Sequence, residues 1–532
     1  MVVRRGANAL RAASWRLSIL SRWRTHLTSR RETLAAVAGA LLLLAGAILI
    51  ARSHGDMRDT RIAGLAVRIL EPERLPAGGT AVVFHGLASN RILMQQAGQW
   101  LSAQGFRVFL VDAPGHGETP GSFTHAATQD SYLRLLNELE RNGISSDGKK
   151  EVLNPQTIIL VGHSMGAEMA VRLADYFPVA ATIAFAPAPM VLPRRMPSNL
   201  LIIGAQLDLP QMHASAQQLL QAAGGPRTSL EDFQQRRAAN GIVVPWTAHG
   251  AVVLDSRALK AMASWARAAI GLTGPVETPR GNPLTGEIMG IAGICLLFPL
   301  ATTWIVRVFR ANFAAEQMPA PLSVSAVIAR WSVAVLLPLS IVTRWYPERL
   351  FPFYGGGYLA CFLLLAGIAL ALLFRKQLRG AFDHGYRPAL AAAALGVLVF
   401  CGLGAWLNWQ LMEVWLSGVR WFYFIPLFLA NLPYAMAEEV ALGPPGGSRR
   451  LERFGTFVIL RLILWLALLA GILIFLSGQV LMAVLVTFFI AVSLGQRFGG
   501  DALRRRTGSA AAAAIFSAIL AAWFVAAVFP LS

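Results

Sequence analysis

Two hydrophobic patterns divide the chain. Apolar runs of five to seven residues occur at 80–84, 106–112, 157–161, 181–185 and 199–204. They do not alternate, as strands buried on both faces do not. Between them, 91–103, 165–177 and 212–223 carry helical spacing. Such alternation of strand and helix predicts a doubly wound, mostly parallel sheet covered on both faces. The second pattern is long and nearly free of charge. It appears at 34–50 and again at about 287–306, 322–343, 353–374, 388–409, 421–442, 456–476, 479–495 and 509–530. Each run is near the ~20 residues that cross a bilayer as a helix. Pro275, Pro279 and Pro283, with glycines nearby, mark a linker between the two patterns.

The expected organisation follows. Residues 1–33 form a basic cytoplasmic tail and 34–50 a transmembrane signal anchor. Residues 51–274 form an α/β domain and 275–286 a linker. Residues 287–532 form an all-α polytopic membrane domain of about eight transmembrane helices. The leader before 34–50 is long and no small-x-small site follows it, so the anchor is expected to stay uncleaved.

Composition agrees with a membrane protein. Of 532 residues, 55% are hydrophobic and only 14% charged, against about 25% charged in soluble domains. The formal charge of +19 invites a nucleic-acid reading. Its location excludes one. Residues 1–33 carry eight Arg against one Glu, residues 34–283 a net of +3, and residues 284–532 a net of +9. The excess flanks apolar segments, as the positive-inside rule requires, and forms no basic stripe. With the N-terminus in the cytoplasm, the loops at 307–321, 375–387, 443–455 and 496–508 carry thirteen Lys and Arg. The opposite loops, 344–352, 410–420 and 477–478, carry three. This topology puts 51–274 outside the cytoplasmic (inner) membrane. Cys295, Cys361 and Cys401 all lie in apolar runs, so no disulfide framework and no metal site is expected in the α/β part.

The chemistry centres on Gly162-His163-Ser164-Met165-Gly166, where a strand gives way to a helix. A serine between two glycines at such a turn is the nucleophile-elbow pattern. The turn lifts the hydroxyl above the sheet, and the Met165 amide at the helix start faces the place where an oxyanion would form. A nucleophile needs a base and an acid that orients the base. Asp208 follows the strand at 199–204, and His249 lies in a turn before a helix expected at 251–270. Asp255 competes for the acid role and His213 for the base. Asp255 sits past His249 on the same helix, and His213 opens another helix, so Asp208 and His249 are preferred. In "VVFHGLASN" (82–90), Gly86 permits a tight turn and the Leu87 amide is placed to donate to the oxyanion. His85 reads as structural and His116, in "VDAPGHGET" (111–119), as part of the rim.

Together, "VVFHGLASN", "FLVDAPGHGET", "LVGHSMG", Asp208 and His249 resemble the α/β-hydrolase superfamily, in its branch of lysophospholipase- and monoacylglycerol-lipase-like serine esterases. The resemblance covers about residues 62–272. It implies a catalytic triad of Ser164, Asp208 and His249, oxyanion donation by the Leu87 and Met165 amides, and hydrolysis of an acyl ester or lipid through an acyl-enzyme. No cofactor is implied. Many such enzymes carry a lid after the strand that follows the nucleophile helix. The stretch between 185 and 199 is too short for one, so an open site is expected.

In the helical part, Glu438-Glu439 is the sharpest feature, since carboxylates inside a span are costly. Pairing with Arg449, Arg450 or Arg453 at the cytoplasmic interface is one reading. The segment also weakly resembles the CAAX-protease and bacteriocin-processing family. Ala441-Leu442-Gly443 replaces the family's arginine and Ser517 stands near its histidine, so a degenerate relative without the metal is expected. Arg330 and Arg461 need partners within the spans. The leading expectation is a membrane-anchored serine hydrolase. The alternatives are a non-catalytic sensing module, or an accessory domain of a transporter or membrane protease.

Overall fold

The computed structural model describes residues 30–72, 78–142, 144–146, 149–151, 154–311, 313–314, 322–345, 350–379, 381, 385–445, 450–475 and 485–532. Most of the expected basic tail, and residues 479–484 of the expected 479–495 span, lie outside the described residues.

Eight strands form one sheet. They are β1 (Met57–Ile62), β2 (Leu65–Leu70), β3 (Gly79–Phe84), β4 (Phe106–Val111), β5 (Ile158–His163), β6 (Ala181–Phe185), β7 (Leu200–Ala205) and β8 (Ala239–Val244). Their spatial order is β1-β2-β4-β3-β5-β6-β7-β8. The first two pairings are antiparallel and the other five parallel. The five expected strands are β3 to β7, each within two residues at either end. β1, β2 and β8 escaped the pattern. β1 and β8 are edge strands: β1 reads Met-Arg-Asp-Thr-Arg-Ile, and β8 is half exposed along its middle, whereas β2 is an inner, mostly buried strand.

Helices cover both faces. α2 (Gln95–Ala103) and α6 (Ser256–Ala269) bury Trp100, Leu101, Leu259 and Met262 against one face. α3 (His125–Asn142) and α4 (Met165–Leu173) bury Leu135, Leu136, Met169 and Leu173 against the other. α5 (Pro210–Ala222) lies along β7 and β8. α2 starts four residues later than its apolar spacing suggested, because Asp112 accepts from the Arg91 amide at 2.7 Å and holds residues 91–94 as a turn. This sheet order with these helices is the α/β-hydrolase fold.

The sheet is bracketed by helices that could span a membrane. α1 (Arg30–Ser53) precedes it. After it come α7 (Pro283–Val308), α8 (Val324–Val342), α9 (Gly356–Leu373), α10 (Arg387–Gln410), α11 (Arg420–Leu442), α12 (Arg450–Phe475), α13 (Val486–Thr507) and α14 (Ala510–Val528). Among the described residues, seven helices are long and apolar enough to cross a bilayer: α1, α7, α8, α9, α10, α12 and α14. α11 and α13 fall outside that set. α11 carries Glu438 and Glu439, and α13 carries Arg497, Asp501 and Arg504–Arg506. The expected loop at 496–508 is instead helix to Thr507. Arg497 and Arg504 need no loop because Glu439 and Asp501 neutralise them inside the bundle.

α1 and α7 flank the α/β part in sequence and pack side by side through glycines. A Cβ on Gly46 would lie 2.6 Å from the Gly286 carbonyl, and one on Gly293 2.7 Å from the Gly39 carbonyl. Close approach of this kind is how helices associate where lipid supplies no hydrophobic drive.

The sheet also docks on the other helices through its carboxyl-edge loops. Asn90 and Glu413 exchange two hydrogen bonds, at 2.9 and 3.0 Å. Arg91 is 3% exposed and joins Asp112, Glu118 at 2.7 Å and Glu413 at 3.0 Å. Gln95 and Gln99 on α2 both donate to Gln410, at 2.5 and 3.2 Å. Arg420 donates to the Gly115 carbonyl at 2.7 Å and to the Phe529 carbonyl at 2.9 Å. The chain end closes the contact, with Phe123 donating to the Leu531 carbonyl at 2.6 Å. Glu413 lies in the loop between α10 and α11. Burial, and the Asp112 carboxylate beside it, raise its pKa despite Arg91.

Candidate active site

Four loops leave the carboxyl ends of β3, β5, β7 and β8 and converge at one place, the usual position for ligands in an open α/β sheet. They carry Leu87, Ser164, Asp208 and His249. The structure therefore brings together every site residue expected from the sequence.

Ser164 joins β5 to α4 with φ +54° and ψ −115°, a region that costs a non-glycine residue roughly 1–3 kcal/mol. Its surroundings enforce it. The Ser164 amide donates to the Phe185 carbonyl at 2.9 Å, and its carbonyl accepts from Ala167 at 3.0 Å, Glu168 at 3.1 Å and Ala188 at 3.3 Å. The flanking glycines are steric necessities. A Cβ on Gly162 would lie 2.0 Å from the Gly166 carbonyl oxygen, and one on Gly166 2.4 Å from that of Phe84. Met165 is the first residue of α4, so its amide has no carbonyl one turn back to accept it. Leu87 and Met165 line the same cavity as Ser164 and His249.

His249 opens a short 3-10 turn, so the helix expected at 251–270 begins only at Ser256. Its Nδ1 lies 2.9 Å from both carboxylate oxygens of Asp208. Because those oxygens accept, Nδ1 carries the hydrogen and Nε2 is left with its lone pair. The Asp208 side chain is 2% exposed, and its Oδ1 also accepts from the Leu209 amide at 2.8 Å. Asp255 is occupied elsewhere. It caps α6 and pairs with Arg257 at 2.6 Å, which holds its carboxyl down at about 2. His213 sits in the first turn of α5.

Two further histidines position this set. His163 Nε2 donates to the His249 carbonyl at 3.0 Å, and burial, with His249 close by, pushes its pKa down to about 3. It is thus a neutral donor fixing the His249 loop. Nothing in the sequence marked that role, because the acceptor is a backbone atom 86 residues away. His85 accepts from the Ala113 amide at 3.0 Å and donates to the Gly86 carbonyl at 2.7 Å, fixing the loop that carries Leu87. Burial lowers its pKa as well. A Cβ on Gly86 would lie 2.8 Å from His163 Nδ1, so the two loops touch only because Gly86 has none.

The expectation of an open site is corrected. The 186–199 connection indeed carries no helix or strand between β6 and β7. However, α7, α10, α13 and α14 stand beside Ser164 and line with it a partly open cavity of about 2130 Å³. A wall from a distant part of the chain leaves no trace in the local sequence.

Glu438 and Glu439 are 2% and 1% exposed and both pair with arginines. Glu438 accepts from Arg461 at 2.7 Å, and Glu439 from Arg497 at 2.8 Å, Arg504 at 3.1 Å and Arg453 at 3.2 Å. Of the expected partners Arg453 takes part, while Arg449 lies outside the described residues; Arg461 finds its partner here, and Arg330 donates to the Leu373 carbonyl at 3.2 Å. Among the described residues, no cluster of His, Cys, Asp and Glu could hold a metal.

Comparison with known proteins bears on the α/β part. The chain is 34% identical over 109 residues to the pimeloyl-[acyl-carrier protein] methyl ester esterase of Nitrosospira multiformis, a match covering 19% of this chain and 35% of that one. It thus spans about a third of that relative's length. Among solved structures, TT1662 from Thermus thermophilus is 22% identical, with a TM-score of 0.30, covering 40% of this chain and 99% of that one. XC6422 of Xanthomonas campestris, described as an α/β serine hydrolase without a lid, is 20% identical, with a TM-score of 0.30, covering 41% and 95%. Residues 76–237, which hold the elbow and the strands on either side of it, match the Hydrolase_4 family model, described as serine aminopeptidase, S33.

Proposed function

We propose that this protein is a multi-pass membrane serine hydrolase that cleaves carboxylic esters or thioesters. Ser164 is the nucleophile, His249 the general base and Asp208 the group that orients it. The Asp208–His249 contact beside a strained elbow serine carries the reading, since a binding module has no use for an oriented base there. Ser164 Oγ attacks the acyl carbon while its proton passes to His249 Nε2. The oxyanion is held by the Leu87 and Met165 amides. His249 then returns the proton to the departing alcohol or thiol, leaving an acyl-serine. Water attacks that ester, His249 takes its proton and hands it to Ser164 Oγ, and the acid leaves. Asp208 keeps Nδ1 protonated throughout. The charge distribution supports a cytoplasmic N-terminus and an α/β domain on the outer face of the cytoplasmic membrane.

A membrane-impermeant fluorophosphonate tests both parts. It is expected to label the wild-type protein in intact spheroplasts and to miss Ser164→Ala. No labelling of folded wild type refutes the enzyme. Labelling only after the membrane is opened refutes the topology.

A further inference from the structure

Ser164 opens onto a cavity whose lining has a consistent chemistry. The cavity at the elbow is about 2130 Å³, against roughly 300–1,000 Å³ for a small-molecule pocket. It continues away from the sheet between the helices. On α13 its wall includes Phe488, Ala491, Gly495, Phe498 and Ala502, at the spacing of one helix face. The α13 residues on the wall run from Leu485 to Arg506, about 32 Å along the axis at 1.5 Å per residue. That matches the ~30 Å of a bilayer's hydrocarbon core. On α10 the wall is Leu403 and Leu407, one turn apart, and on α14 it includes Trp523.

Charged groups on the lining are Glu168 in the α/β part and Arg453, Arg497, Asp501, Arg505 and Arg506 on the helices. The rest of the helix wall is mainly apolar. A wall of apolar groups favours hydrocarbon over water. The oxyanion loop belongs to the same surface: Ala88 is buried in the apolar core of the helical region.

We infer that the helices α7, α10, α13 and α14 are the acyl-chain half of the active site. The ester enters from within the bilayer, its long hydrocarbon chain lying along the α10–α13–α14 wall while its carbonyl reaches Ser164. This rests on Ser164 being the nucleophile, as proposed above. It assigns the helical region to substrate binding. Residues such as Leu403, Leu407 and Phe488 then set chain-length preference.

The test uses the full chain in nanodiscs and a sixteen-carbon alkyl fluorophosphonate with a diazirine at its far end. The phosphonate should modify Ser164, and illumination should then cross-link the tail to peptides within 399–411, 485–498 or 520–527. Cross-links to the outer surface of the α/β part, or to lipid alone, with Ser164 modified, overturn the inference and leave the hydrolase reading intact. An unmodified Ser164 in folded protein refutes that reading instead.

A kinetic arm needs no cross-link. For wild type, kcat/KM on p-nitrophenyl esters should rise with acyl length from four to sixteen carbons, by at most about fourfold per methylene buried. A flat profile from an active enzyme overturns the inference. Leu407→Trp should lower turnover of the sixteen-carbon ester at least tenfold more than that of the four-carbon ester. Equal loss on both esters, with phosphonate labelling retained, also counts against it.

Discussion

The strain at Ser164 makes a measurable demand. A residue with a Cβ at φ +54°, ψ −115° costs roughly 1–3 kcal/mol. Glycine adopts such angles freely but gives up roughly 0.5–1 kcal/mol of unfolded-chain entropy. Ser164→Gly should therefore stabilise the α/β part by about 1 kcal/mol relative to Ser164→Ala, which keeps the strain and loses the same hydroxyl. For a domain of 150–250 residues this corresponds to roughly 2–4 °C. The assay is thermal unfolding of the two purified variants side by side in the same detergent, monitored by tryptophan fluorescence. Both should fail to react with a fluorophosphonate, so the comparison isolates backbone from chemistry. Equal unfolding temperatures, or a less stable glycine variant, would refute the argument that the elbow holds strain for the sake of the hydroxyl. The four hydrogen bonds to the Ser164 backbone do not depend on its side chain, so they should survive both changes.

Other expectations follow from single contacts. Asp208→Asn keeps the shape but can offer His249 an amide donor, stabilising the wrong tautomer, so kcat on a short-chain ester should fall by about 10⁴ with KM little changed; a drop of only a few fold would mean another group orients the base. Glu439→Gln leaves Arg453, Arg497 and Arg504 partly uncompensated, and should destabilise the helical region by about 3–5 kcal/mol while esterase turnover per folded molecule is retained. Loss of turnover without loss of stability would instead place Glu439 in chemistry. Because the Glu413 pKa is raised in the folded protein, its contribution to stability is greatest below the ordinary carboxyl value of about 4.3 and is lost as pH rises above it. The unfolding temperature of Glu413→Gln should accordingly fall less than that of wild type between pH 5 and 8, and parallel curves would remove Glu413 from the account.

Much of this was legible in the sequence, for local reasons. The core strands β3 to β7 are buried on both faces, so each shows as an unbroken apolar run. Glycines at 162 and 166 were readable because no other residue fits where a Cβ would strike backbone. The seven helices long and apolar enough to cross a bilayer were readable because each is one continuous, nearly uncharged run. Edge strands β1 and β8 were not, since half of each faces water. The helical 496–508 segment was not either, because its buried Arg497 and Arg504 are neutralised by Glu439, about sixty residues away in the chain.

The residue types, their order and the turn that presents Ser164 were determined by the sequence itself, because steric and periodic constraints act between neighbours. Only the tertiary structure decided where that serine looks. The same chain segment without a lid could have faced water. It faces a largely apolar cavity lined by the C-terminal helices because Asn90, Arg91, Gln95 and Gly115 bind residues some 300 positions later, and contacts of that range have no period and no local signature.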